Sequence, residues 1–356
     1  MFIFTRYLYE KQEVELSLRV SLLEKKIEES LFWAYELFYS GFQEELFLLF
    51  IFIYYDHYAT LNPSFGIYII IKYNEFFIEK KEEFEDRHVC MIIHDFITRP
   101  FNLDVFSCRM FEKTDDTETN YTLTLEDIVS SNNYFLISYW VKENELEKCL
   151  EKIELFFENK LEKKIPKNIK KHIDLIKKYK LDFVVSFKTV VIFIIIHLLS
   201  LTSNLKMGKN LYVVASSEEV EKYKTICFKP CYKTLSKVSL FNINNSNYLY
   251  LFDLKRDKKD IVDAYWNNWL YHASFSPLWI QRIQKYGGIV NENEKKIDFE
   301  DIDLEEAFYE EFNLEPDEQP KEIQEKSIQK IELKVNYTWD TFYEKFGKNG
   351  LIKNYL

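Results

Sequence analysis

The sequence specifies a mainly α fold, an irregular helical-hairpin array carrying a small β-containing insert. Three observations lead there. Through most of the chain apolar residues recur at steps of three and four, as in Leu16, Val20, Leu23 and Ile27, the spacing that lines one face of a helix. Helix stops punctuate these runs, Gly41 after Tyr39-Ser40 and Asn62-Pro63 after the next apolar run. Short β-rich stretches bounded by Ser and Asn are confined to residues 210–255, at Leu211-Tyr212-Val213-Val214-Ala215 and Tyr248-Leu249-Tyr250-Leu251-Phe252. No repeat of fixed period accompanies the helices, so a regular solenoid is not expected.

The first element, Val14 to Leu22, carries the helical steps but also alternates strictly, so helix and strand both fit it. Glu28-Glu29-Ser30 opens a second helix that Gly41 ends. A third runs from Gln43 to about Thr60 and stops ahead of Pro63, because the residue before a proline avoids the helical region. Helix, Gly, helix, Asn-Pro describes an αα-hairpin with aromatic faces. Helices over residues 64–82 and 86–98 follow, Arg99-Pro100 forces a turn, and Asp104 is placed to cap the next short helix. Thr124-Leu125-Glu126-Asp127 has the spacing of a capping box. Residues 143–163 are amphipathic, with Leu146, Leu150, Ile153 and Phe157 on one stripe; Ile165-Pro166 breaks them and a lysine-rich helix follows. Residues 183–201 are almost continuously apolar. Beyond the β-rich stretches, residues 260–286 return to helix, interrupted at Ser276-Pro277 and closed by Gly287-Gly288, and residues 339–346 form a last short helix. The organisation expected is an N-terminal helical-hairpin lobe (1–110), a central helical region with the basic helix (111–209), a small sheet plus aromatic helices (210–290), and an acidic tail with a short terminal helix (291–356).

Composition excludes several classes of activity. The chain has 31 Phe, 25 Tyr and 6 Trp against 7 Gly, and no pair of glycines falls into G-x-G-x-x-G or G-x-x-x-x-G-K-[ST]. Loops that wrap phosphate need such glycines, since only a residue without Cβ lets successive backbone N–H groups turn onto an anion, so a self-contained Rossmann or P-loop enzyme is not expected. Five scattered cysteines and no charged leader ahead of an apolar core fit a reducing compartment and a soluble, non-secreted protein. The apolar runs 46–55 and 190–201 fall well short of the roughly 20 residues a membrane span needs. Cys227-Phe-Lys-Pro-Cys231 is the one close cysteine pair, and with no second pair beside it no metal or cofactor is expected. His94, followed by Asp95 and with Arg99 one turn on, has the ingredients of an acid–base cluster. It sits in Met91-Ile92-Ile93-His94-Asp95-Phe96-Ile97, as His197 sits in an isoleucine run, and both read as core histidines. No catalytic residue is assigned, and the chain is read as more a binding protein than an enzyme.

Charge is uneven. Residues 291–326 hold fifteen acids and four lysines, which accounts for the whole net charge of −11. Residues 160–180 hold nine lysines and two acids. Lys163, Lys164, Lys167, Lys170, Lys171, Lys177, Lys178 and Lys180 are therefore candidate phosphate contacts for nucleic acid, although a lysine-rich face is more commonly just solvated. Trp266, Trp269, Trp279 and Arg282, in the most distinctive stretch of the chain, are candidate partner anchors, because Trp and Arg dominate interface hot spots; the plainer arrangement is an aromatic core between two short helices.

Three blocks together resemble a family of uncharacterised proteins from the nucleocytoplasmic large DNA viruses, the giant viruses of protists and algae. They are Glu29-Ser30-Leu31-Phe32-Trp33-Ala34-Tyr35-Glu36-Leu37-Phe38-Tyr39-Ser40-Gly41-Phe42, the turn from Tyr54-Tyr55-Asp56-His57-Tyr58 to Pro63, and Ala273-Ser274-Phe275-Ser276-Pro277-Leu278-Trp279 with Glu315-Pro316-Asp317-Glu318-Gln319. The block from Trp33 to Gly41 is also similar to a helical hairpin in the collar of clamp-loader-like ATPases, whose Walker motifs this chain lacks. The viral resemblance implies a setting, the virion or the infected host cytoplasm, and no reaction. The function expected is a non-enzymatic viral protein acting through contacts with other viral proteins in the virion or in a replication or transcription assembly. The alternative is a helical nucleic-acid-binding accessory factor.

Overall fold

The computed structural model describes residues 1–112, 123–161, 165–203, 205–209, 213–224, 258–312, 316 and 339–352. These residues are mainly helical with one small sheet. Helix α1 (Lys11–Leu23) is buried on nearly every side, which explains why its pattern had no polar face to separate helix from strand. Helix won. The Glu10 carboxylate accepts from the Glu13 amide at 3.0 Å and caps it. Three residues later α2 (Ile27–Tyr39) returns antiparallel to it, as so short a connection requires. In that connection Lys25 adopts a left-handed φ of 58° and extends its ammonium to the Phe96 and Arg99 carbonyls. Burial lowers its pKa to about 7.

Gly41 (φ +94°) turns the chain into α3 (Gln43–Ile53), whose end widens into a π-turn over Tyr54–Tyr58. Helix α4 (Pro63–Tyr73) starts with proline at its first position and widens likewise over Asn74–Ile78, so it stops short of the expected residue 82. Helix α5 is Asp86–Thr98 and α6 is Asp104–Glu112. Asp104 does not cap α6 as expected; its carboxylate accepts from the Leu351 and Ile352 amides and ties down the far end of the described chain. Helices α7 (Leu125–Ser131), α8 (Leu136–Lys142), α9 (Leu146–Leu161), α10 (Lys167–Lys178) and α11 (Phe187–Ser200) follow, with the Thr124–Asp127 capping box formed on α7. The apolar α11 is an interior helix packed on α6, α8, α9 and α10. Among the described residues no helix is long and apolar enough to cross a membrane.

Helix α12 (Ser217–Glu221) lies across α5. A second, smaller core is built by α13 (Lys258–Asn267), α14 (Trp269–Ala273), α15 (Pro277–Lys285), a hairpin of β1 (Gly288–Asn291) and β2 (Lys296–Phe299), and α16 (Ile302–Phe312). Helix α17 (Trp339–Phe346) returns to the main core through Phe342 and Phe346. Among the described residues the one small sheet is this hairpin, downstream of the stretch 210–255. Residues 213–215 take no regular structure, whereas residues 211, 212 and 248–252 fall outside the described residues. The described first part of the expected acidic tail, residues 291–312, is a folded part of this second core. Its charges face solvent, while Ile297 and Phe299 alternate inward from β2 and Phe308 of α16 is fully buried. Gly288 permits that packing, because a Cβ there would meet Ile283 at 2.6 Å and Ile297 at 2.9 Å.

The N-terminal arm joins the two cores. Phe4 and Leu8 lie in the small core and Tyr9 in the large one. Between them the fully buried Glu36 carboxylate accepts from the Thr5 hydroxyl (2.6 Å), Arg6 Nε (2.9 Å) and the Tyr7 amide (3.0 Å). On the other side Trp279 Nε1 donates to the Thr5 carbonyl at 3.0 Å and the Phe4 amide to the His272 carbonyl at 3.2 Å.

Candidate functional site

Helix α10 presents its lysines as expected. Ile169, His172, Ile173 and Ile176 are buried, so Lys167, Lys170, Lys171, Lys177 and Lys178 fall on the opposite, exposed face, followed by exposed Lys180. Lys163 and Lys164 lie outside the described residues. The face is not uniformly available to phosphate. Lys170 pairs with Glu154 of α9, Lys177 lies over the Phe187 ring and Lys178 over Tyr179. His172 anchors the helix from inside, one ring nitrogen 2.7 Å from the Tyr55 hydroxyl and the other 2.9 Å from the Pro63 carbonyl. Burial lowers its pKa to about 4, so it is a neutral bridge.

Two of the four candidate partner anchors, Trp269 and Trp279, are buried, and Arg282 is half-buried. Trp279 is fully buried and meets Trp269 edge-on at 5.5 Å, and Arg282 lies over the Trp279 and Phe312 rings at 4.7 and 4.5 Å. The distinctive tryptophan stretch is thus the small core, and a guanidinium stacked between two of its rings serves cohesion. Trp266 is the most exposed of the four, at 37%. Missed in the sequence were Ile289, Ile302 and Leu304, all exposed on the same lobe among Glu292, Glu294, Asp298, Glu300, Asp301 and Asp303. Their surrounding acids made the segment read as solvated tail.

Two groupings of charged side chains appear that spacing had not revealed. In the π-turn after α3, Asp56 receives Arg19 Nη2 at 2.5 Å and a two-pronged Arg109 at 2.9 and 2.8 Å, while Arg19 Nε donates to His57 Nε2 at 2.9 Å. Burial would raise the Asp56 carboxyl, but Arg109 and then Arg19 outweigh it and hold the group well below the usual carboxylate range. Burial, reinforced by Arg19, keeps His57 neutral. Asp56 and His57 are sealed from solvent, so this hub fastens α1, α3 and α6 together.

The second grouping is at the surface. His94 does not lie in the core; it faces α12, and its Nε2 is 2.9 Å from Oε2 of Glu219. Cys90, one turn earlier on α5, directs its thiol to the same carboxylate oxygen at 3.3 Å. The sulfur, imidazole and carboxylate donors all lie within 4.8 Å of one another. Cys90 is buried, whereas the His94 and Glu219 side chains keep 24% and 29% of their surface exposed. Burial and the adjacent carboxylate push the thiol up to about 12, which makes it inert as a nucleophile on its own. A cleft of about 280 Å³ opens elsewhere, lined by Asn62, Arg99, Gly208 and Lys209 among others. His197 at its wall behaves as the expected core histidine, bound to the Thr60 carbonyl at 2.7 Å.

Known proteins offer no relative to weigh against this geometry: no family model, no curated protein and no solved structure matches the chain.

Proposed function

We propose that this chain is a non-enzymatic protein of a large DNA virus that works through contacts with other viral proteins, in the virion or in a replication or transcription assembly. The observation supporting this reading is the outer surface of the small lobe. Trp266, Ile289, Ile302 and Leu304 are exposed there on a lobe whose other surface residues are largely acidic, so a partner offering apolar side chains beside lysine or arginine complements it. The lobe is otherwise saturated with internal aromatic contacts, so it presents this surface on a stiff support. The viral setting rests on the sequence resemblance alone.

The test is comparative. Tagged wild-type chain and an Ile289→Asp/Ile302→Asp/Leu304→Asp variant are expressed in infected cells and their co-purifying proteins quantified by mass spectrometry. A viral protein recovered with the wild type and depleted at least tenfold with a variant of unchanged circular dichroism is the expected result. Equal recovery with both, or recovery of the chain alone, refutes it. The exposed lysine face of α10 favours a second reading, an accessory factor that binds nucleic acid. Lys167→Glu/Lys171→Glu/Lys178→Glu then weakens binding and flattens its salt dependence by roughly one unit of log–log slope per lost phosphate contact.

A further inference from the structure

We propose that Cys90, His94 and Glu219 form a Zn2+ site that clips α12 to α5 and leaves one coordination position to water. Placement comes first. Cys90 and His94 are four residues apart on α5, which puts both on one helix face, and Glu219 reaches the same point from α12. Their approach is fixed by contacts beyond the site. Tyr223, just past α12, stacks on Tyr35 of α2 at 5.1 Å and donates its hydroxyl to the Glu28 carbonyl, and Arg6 Nη2 donates to the Tyr223 carbonyl. Lys224 pairs with Asp86 at the start of α5. The carboxylate is therefore delivered by a docked element.

The donor geometry suits a tetrahedral ion. Bonds of ~2.0–2.3 Å place neighbouring donors roughly 3.3–3.8 Å apart, and the sulfur and imidazole nitrogen stand 3.3 and 2.9 Å from the shared Glu219 oxygen. Those two distances need open by only a few tenths of an ångström, while the sulfur and the imidazole nitrogen, within 4.8 Å of each other, close onto the ion. The donor set, one thiolate, one imidazole and one carboxylate, is the borderline mixture that Zn2+ prefers over the oxygen-only shells of Mg2+ and Ca2+. Charge agrees as well. A thiolate beside a carboxylate is unfavourable alone, but two negative charges around a dication give a neutral site. On binding, the Cys90 thiol loses its proton to solvent, the His94 ring proton moves to Nδ1 so that Nε2 can coordinate, and the Glu219 carboxylate bonds the ion in place of those two hydrogens. With three protein ligands and the two outer ones half exposed, the fourth position opens to water.

The experiment is a titration of the full chain, stripped with chelator, with Zn2+ against a chromophoric competitor, and with Co2+ as a spectroscopic substitute. One equivalent binds, Co2+ gives a thiolate charge-transfer band in the near ultraviolet, and about one proton is released per ion at neutral pH. His94→Gln and Glu219→Gln, at half-exposed positions, each weaken binding by at least about 100-fold while the unliganded fold stays intact. Cys90→Ser abolishes the charge-transfer band. Cys227→Ser/Cys231→Ser, which removes the close pair read in the sequence, leaves affinity unchanged. Failure of the wild type to bind stoichiometrically, indifference to Glu219→Gln, or loss of binding in the Cys227→Ser/Cys231→Ser variant overturns the assignment, and none of these results bears on the partner surface of the small lobe.

Discussion

Replacing Asp56 with Asn isolates the electrostatics of the buried hub with little change of volume. The wild-type carboxylate satisfies three charge-assisted donors at 2.5–2.9 Å from two guanidiniums, one nearly buried and one on the rim. Asn offers one neutral acceptor and turns an NH2 toward a guanidinium, so two cations lose this carboxylate. Breaking a buried pair in this way costs about 3–5 kcal/mol, and the partial exposure of Arg109 favours the lower end. Against a total of about 5–15 kcal/mol, that is a large fraction of stability. Urea denaturation followed by circular dichroism measures it. The matched variant Arg19→Met/Asp56→Leu/Arg109→Met removes all three charges together and should lose less, because neither guanidinium is left facing a missing Asp56 carboxylate. The pH dependence follows from the direction of the Asp56 shift. Its folded pKa lies below the unfolded ~3.9, so its contribution is complete above that value and declines as pH falls through it toward the folded pKa. Asp56→Asn should therefore show a flatter acid limb. A loss under about 1 kcal/mol for Asp56→Asn, or an equal loss in the triple variant, would refute the reasoning.

Other outcomes can be checked in the same way. Trp279→Ala removes a fully buried indole and its bond to the Thr5 carbonyl; a cost of about 3–5 kcal/mol is expected, read as early loss of near-ultraviolet dichroism from the tryptophan-rich small core. Asp104 is raised to about 6 by burial, only partly offset by the Leu351 and Ile352 amides, so its contribution is present below the unfolded ~3.9 and is lost as pH rises through about 6. Urea midpoints at pH 4.5 and 7.5 should therefore differ less in Asp104→Asn than in the wild type. Gly41→Ala meets both a left-handed φ of +94° and a Pro277 Cβ at 2.5 Å, and should lower stability by more than about 1 kcal/mol in thermal denaturation; an unaffected variant would mean that the α2–α15 contact yields freely.

Local signals were read well. Helix α5 spans the expected residues 86–98, α17 the expected 339–346, and the Thr124–Asp127 box forms, because each is decided by side chains within four residues of one another. The strand alternative at Val14–Leu22 could not be settled locally, since a helix buried all round has no polar side to give it phase. The hairpin at Gly288–Phe299 was hidden by its acidic outer residues, whereas the aromatic core that the tryptophan stretch favoured over a surface anchor is what the packed lobe forms. Glu219 stands 125 residues from His94 and 129 from Cys90, so their meeting on α12 and α5 depends on tertiary docking that no spacing rule reaches.

The arm that bridges the two cores also sets an order of events during synthesis. Thr5 leaves the ribosome 274 residues ahead of Trp279, the indole that seals against it. At ~5–20 residues per second that is a wait of roughly 15–55 s in which Phe4 and Leu8 have no small core to enter. The nascent arm is thus a natural client for chaperones, and stalled translation before α15 should yield a product with that arm exposed and a large core still lacking α17.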